Sequence, residues 1–103
     1  MNASMTEKDF DAIRGAANIA NAIRSELIHR GRRQEEIALE WLPDPRFVAL
    51  PEEPELKAEI AESGCVRQMF SREELEVSSE QLDRRSVVAK IDLVVESLQA
   101  GLP

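Results

Sequence analysis

Apolar residues recur every three or four positions through the first third of the chain. Phe10, Ile13, Ala16, Ala17, Ala20, Ile23 and Leu27 share one helical face, and Ile19 and Ile28 widen it. The spacing predicts a helix over about 6–30. Thr6 suits the N-cap, Glu7, Asp9 and Asp11 favour the positive end of the helix dipole, and Gly31 suits the C′ position behind Arg30. Gly15 sits mid-helix at a cost of about 1 kcal/mol against alanine. With Ala12, Ala16 and Ala17 beside it, it marks a close helix crossing. A stripe this wide predicts contact with more than one neighbouring helix.

The pattern then shortens. Ile37, Leu39, Trp41 and Leu42 predict a helix over about 32–42, ended by Pro43. Residues 43–54 hold four of the five prolines, yet also Phe47, Val48 and Leu50, so an ordered connection is expected in place of a flexible linker. Asp44-Pro45 fits an N-cap followed by N1, predicting a helical turn over Pro45–Leu50. Pro51 or Pro54 is expected to start a further helix, with Glu52, Glu53 and Glu55 in its first turn, Leu56, Ile60 and Ala61 on its apolar face and Gly64 as its stop. Cys65, among Val66, Met69 and Phe70, reads as a buried small hydrophobe.

Ser71 with Glu74 fits a capping box for a short helix to about Val77, and Ser78 with Gln81 fits a second. The second predicts a long helix over about 79–100, stopped by Gly101, with Leu82, Val88, Ile91, Val95 and Leu98 inward and Val87 and Val94 broadening that face. No stretch combines sustained two-residue alternation with hairpin turn residues. The expected fold is therefore all-α: a single helical domain over 1–103, with two long helices (about 6–30 and 79–100) packing several short ones and residues 1–5 disordered.

Charge changes the picture in the middle. From Glu35 to Glu76 twelve acidic residues face four basic ones, a net of −8, while residues 1–34 come to +2 and residues 77–103 to −1. A pI near 4.7 opposes binding to a phosphate backbone, which needs Lys and Arg to displace counterions. It favours a protein partner with a basic surface. The N-terminus has no apolar leader segment, and no apolar run approaches the roughly 18–20 residues of a membrane span, so a soluble cytoplasmic protein is expected.

Catalytic chemistry has little to work with. One histidine, His29, and one cysteine, Cys65, cannot supply the four nitrogen or sulfur ligands of a zinc site. Nothing in the spacing assembles them into a dyad, and four scattered glycines make no phosphate-cradling loop. No catalytic residue, metal or cofactor is expected. Arg24, His29, Arg30, Arg32 and Arg33 form the only basic concentration, at the helix end where cations suit the dipole.

Two binding features remain. Trp41, Phe47 and Leu50, spaced by prolines, read either as an interface centre or as a plug of the core, and Glu52, Glu53, Glu55, Glu59 and Glu62 would form an acidic helix face beside them. Together they are the candidate partner-binding residues of a non-enzymatic adaptor, assembly factor or inhibitor. The alternative is a helix-turn-helix regulator whose corner spans Leu56–Arg67 and which reads DNA with Arg67, Gln68 and Arg72. The broad stripe on the last helix would serve either an internal core or a homodimer.

Overall fold

Two-residue alternation, not helical spacing, governs the middle of this protein. The computed structural model describes residues 7–42, 53–61 and 64–100. Its elements are α1 (Glu7–His29), a 3-10 turn (Gln34–Glu36), β1 (Ile37–Leu42), β2 (Glu55–Ile60), β3 (Gly64–Met69), α2 (Arg72–Val77) and α3 (Arg85–Gln99). The fold is mixed α/β, and the all-α expectation is corrected by a three-stranded antiparallel sheet of order β1-β2-β3. Thr6, residues 1–5, Pro45–Leu50 and Gly101, expected to form a cap, a disordered end, a helical turn and a stop, lie outside the described residues.

The residues assigned to helices over 32–42 and 54–64 carry a strand pattern. Ile37, Leu39 and Trp41 lie on one face of β1, and Leu56, Ala58 and Ile60 on the same face of β2. Pairing sets Ile37 against Ile60, Leu39 against Ala58 and Trp41 against Leu56. A helix built from Glu55–Ile60 would bury only part of that set, whereas the strand buries Leu56, Ala58 and Ile60 completely or nearly so. The intrinsic helix preference of Glu, Leu, Lys and Ala is worth only tenths of a kcal/mol per residue, and burial outweighs it. Gly64 is not a helix stop; it opens β3 opposite Ile60. The stretch expected to form a helix-turn-helix corner therefore lies in the antiparallel β2–β3 pair. Cys65 pairs with Glu59 and is exposed, not buried, because its position in the alternation faces outward.

Pro54 shows why a proline is tolerated at the start of a central strand. Its carbonyl accepts from the Phe70 N–H at 2.9 Å, and the bond its missing N–H would have made is the one that lies at the end of the ladder. Phe70 follows β3 into the core, fully buried.

Helices cover one side of the sheet. α1 packs on β1, and α3 on β2 and β3. One core unites Ile19, Ile23 and Leu27 of α1, Val87, Val94, Val95 and Leu98 of α3, Leu75 of α2, and the inward strand residues. α1 ends in a Schellman motif: the Arg32 N–H reaches the Leu27 carbonyl and the Gly31 N–H reaches Ile28, both at 3.0 Å, with Gly31 at φ 101°. The buried line of α1 is Ala12, Gly15, Ala16, Ile19, Ile23 and Leu27. Phe10, Ala17 and Ile28, assigned to the inward stripe, face solvent.

α2 begins with the expected capping box, Ser71 and Glu74 bonding reciprocally. The second box does not form. Ser78 is buried and its hydroxyl donates back to the Glu74 carbonyl at 2.7 Å, while Asn18 of α1 donates its side-chain N–H groups to the carbonyls of Ser78 and Ser79. Ser78 is thus committed to ending α2, and the last helix starts at Arg85 and not at Ser79. It buries Val87, Val94, Val95 and Leu98, leaving Val88 exposed.

Gly15 is the tightest point between α1 and α2. A Cβ built on it would stand 1.6 Å from the Leu75 carbonyl oxygen, which is backbone and cannot swing away. Gly15→Ala should cost about 3 kcal/mol or more in urea unfolding. Gly31→Ala, strained in φ but sterically open, should cost only about 1 kcal/mol. Equal losses would show that the α1–α2 approach is not the constraint.

Candidate binding surface

The densest polar cluster joins α2 to α3. Glu74, 7% exposed, receives the Ser71 N–H at 2.8 Å and the Lys90 ammonium at 2.7 Å on Oε1, and the Ser86 hydroxyl at 2.6 Å on Oε2. Burial pushes its pKa up, but Lys90, Ser86 and the Ser71 N–H together hold it below the ordinary value of 4.5. Lys90 also lies 5.3 Å from the centre of the Phe70 ring. Phe70 meets Trp41 edge-on, with ring centres 5.6 Å apart, and the Trp41 indole N–H donates to the Ala16 carbonyl at 3.0 Å. These contacts run from α2 through α3 and Phe70 to β1 and α1, the arrangement of a structural brace.

Of the sequence-predicted site, Trp41 is in the core, 8% exposed, and holds α1 to β1. Phe47, Leu50, Glu52 and Glu62 lie outside the described residues. Glu53 is exposed ahead of β2, and Glu55 and Glu59 stand on the outer face of β2, so these acids line a strand and not a helix. That outer face is mixed in sign. Glu40 pairs with Lys57, Lys57 with Arg67, and Arg67 reaches Glu55 at 3.6 Å. Of the predicted acids that are described, Glu55 and Glu59 share the outer face with Lys57 and Arg67.

Three members of the basic concentration, Arg30, Arg32 and Arg33, are ion-paired. Arg30 bonds Glu26 and Glu96, each at 3.0 Å, tying the end of α1 to α3. Arg33 bonds Glu36 at 3.0 Å, which lowers the Glu36 pKa, and Arg32 lies 3.9 Å from Glu36. Arg72 bridges to Asp9 and Glu76. Among the described residues, exposed carboxylates outside ion pairs remain at Glu59, Glu73, Glu80, Asp83 and Asp92, and exposed cations outside ion pairs at Lys8, Arg84 and Arg85.

No family model matches the chain, and neither does any curated protein or solved structure compared with it. Among the described residues no group of three or more His, Cys, Asp or Glu side chains is set to hold a metal ion. No helix there is long and apolar enough to cross a membrane.

Ser86 and Lys90 went unnoticed in the sequence. Their signal is a polar pair four residues apart, on one side of a helix otherwise rich in Val and Leu. Because the folded Glu74 pKa is depressed, its contribution is complete above about 4.5 and is lost as pH falls through the lower folded value. On acidification below about pH 4.5, the urea midpoint of the wild type should fall further than that of Glu74→Gln, which keeps the shape but cannot titrate. Parallel curves would show that the carboxylate charge does not stabilise this junction. Glu74→Ala, which strands Lys90 and Ser86, should cost about 2 kcal/mol at neutral pH.

Proposed function

We infer that this is a non-enzymatic binding protein of the cytoplasm, an adaptor, assembly factor or inhibitor, that docks on a basic surface of another protein. The observation that carries the reading is the fate of its charges. Seven basic side chains (Arg14, Arg30, Arg32, Arg33, Arg67, Arg72 and Lys90) are drawn into ion pairs, and among the described residues the exposed charges outside ion pairs are more often carboxylates (Glu59, Glu73, Glu80, Asp83 and Asp92 among them) than cations (Lys8, Arg84 and Arg85). A molecule of net charge −7 arranged in this way presents a negative field that accelerates encounter with a basic partner more than it tightens the final complex. The DNA-reading alternative gains no support, since Arg67 lies on a strand and is paired with Glu55, and Arg72 is held by Asp9 and Glu76.

Immobilised protein, incubated with extract of its source cells, should retain a basic protein at about 50 mM salt and release it by about 500 mM, as screening of exposed charge requires. Retention that ignores salt, or no retained protein, would overturn the electrostatic reading. The charge-reduced variant Glu73→Gln/Glu80→Gln/Asp83→Asn, altered only at exposed positions, should elute the same partner earlier.

A further inference from the structure

Among the described residues the exposed cations outside ion pairs are Lys8, Arg84 and Arg85, and the last two stand side by side directly before Ser86. Residues 81–84 have no regular structure, and α3 opens at Arg85, so Ser86 lies in the first turn of its helix and is itself exposed. Helix ends fray, and such a hydroxyl is reached without unfolding the domain. No other described serine follows two cations. Ser25 has only Arg24 before it and lies inside α1, Ser71 is committed to its capping box, Ser78 is buried, and Ser79 and Ser97 each adjoin a glutamate.

Ser86 is also the described serine whose hydroxyl bonds a side chain of another element. It donates to Glu74 Oε2 at 2.6 Å, and the same carboxylate holds the Lys90 ammonium at 2.7 Å through Oε1. Lys90 follows Ser86 by one turn of α3, at the four-residue spacing that brings two side chains together. Glu74 is almost buried, so its partners cannot be replaced by bulk water. A chemical change at Ser86 is therefore felt directly at the α2–α3 junction.

We propose that Ser86 is a phosphorylation site for an arginine-directed, ATP-dependent protein kinase, and that the phosphate unlocks α3 from α2. The bond between Ser86 Oγ and the γ-phosphorus of ATP forms as the bond from that phosphorus to the β–γ bridging oxygen breaks. ADP leaves, and the hydroxyl proton passes to the kinase's base. Arg84 and Arg85 supply the charge pattern by which such a kinase selects its substrate. The product carries about two negative charges at neutral pH and has no proton to give Glu74. Two anions then face each other across the former hydrogen bond, and Lys90 is drawn to the more highly charged one. Glu74 keeps only the Ser71 N–H, too little for a carboxylate held out of water. The junction relieves this by releasing the first turns of α3.

Folded protein incubated with an arginine-directed serine kinase and magnesium ATP should take up one phosphoryl group, located at Ser86 by fragment mass spectrometry. Arg84→Gln/Arg85→Gln, altered only at exposed positions, should slow that uptake at least about tenfold. In the phosphorylated chain, amide hydrogen exchange should quicken at least about tenfold over α2 and the first turns of α3 and stay unchanged over β2 and β3. Ser86→Glu, with one negative charge in place of two, keeps the junction readable where the phosphorylated chain unfolds, and should exchange faster there than Ser86→Ala. No uptake by the folded wild type overturns the proposal, as does uptake that Ser86→Ala retains. Exchange over α3 that neither the phosphate nor Ser86→Glu alters overturns the unlocking. None of these readouts involves the salt-eluted partner.

Discussion

A carboxylate taken out of water has to be bonded on every side, and Glu74 is the group on which the helical layer depends. It caps its own helix through Ser71 and accepts from Ser86 and Lys90 on α3. Lys90 in turn covers Phe70, Phe70 meets Trp41, and Trp41 is tethered to the α1 backbone. One contact at a time, this line joins α2, α3, the end of β3, β1 and α1. The neighbouring approach of α1 to α2 at Gly15 is possible only without a side chain, so the brace and the crossing hold each other in place.

The consequence is a molecule with two unlike sides. Helices bury the inner face of the sheet, and the outer face carries charges of both signs in rows such as Glu40–Lys57–Arg67. Antiparallel sheets tolerate this arrangement because alternation sends one set of side chains inward and the other to water. Basic side chains are then consumed by ion pairs that stitch elements together, as Arg30 does between α1 and α3 and Arg72 between α2 and α1. Among the described residues the exposed charge outside ion pairs is carboxylate more often than cation, which supports the proposed electrostatic recognition.

Local signals with a single physical meaning were legible in the chain. The α1 periodicity, the Gly31 stop, the need for a small residue at Gly15 and the Ser71–Glu74 box each depend on residues within about one helical turn, and each is present. The Trp41 ambiguity between core and interface was also visible, and the buried indole with its bond to Ala16 places it in the core.

Tertiary structure decided the rest. Glu55–Ile60 is compatible with a helix by composition and with a strand by alternation, and the choice falls to pairing with β1 and β3, which are distant in sequence or separated by a turn. Ser78 could cap a helix or end one, and Asn18, sixty residues away, settles it by holding the Ser78 carbonyl. Which half of the α1 stripe is buried depends on where α2 and the sheet lie, and no spacing within α1 contains that information. Short-range chemistry in this sequence therefore determined the helix ends, the cap and the tight crossing, while the sheet, the start of α3 and the exposed faces arose from contacts whose free energy exists only once the chain has closed on itself.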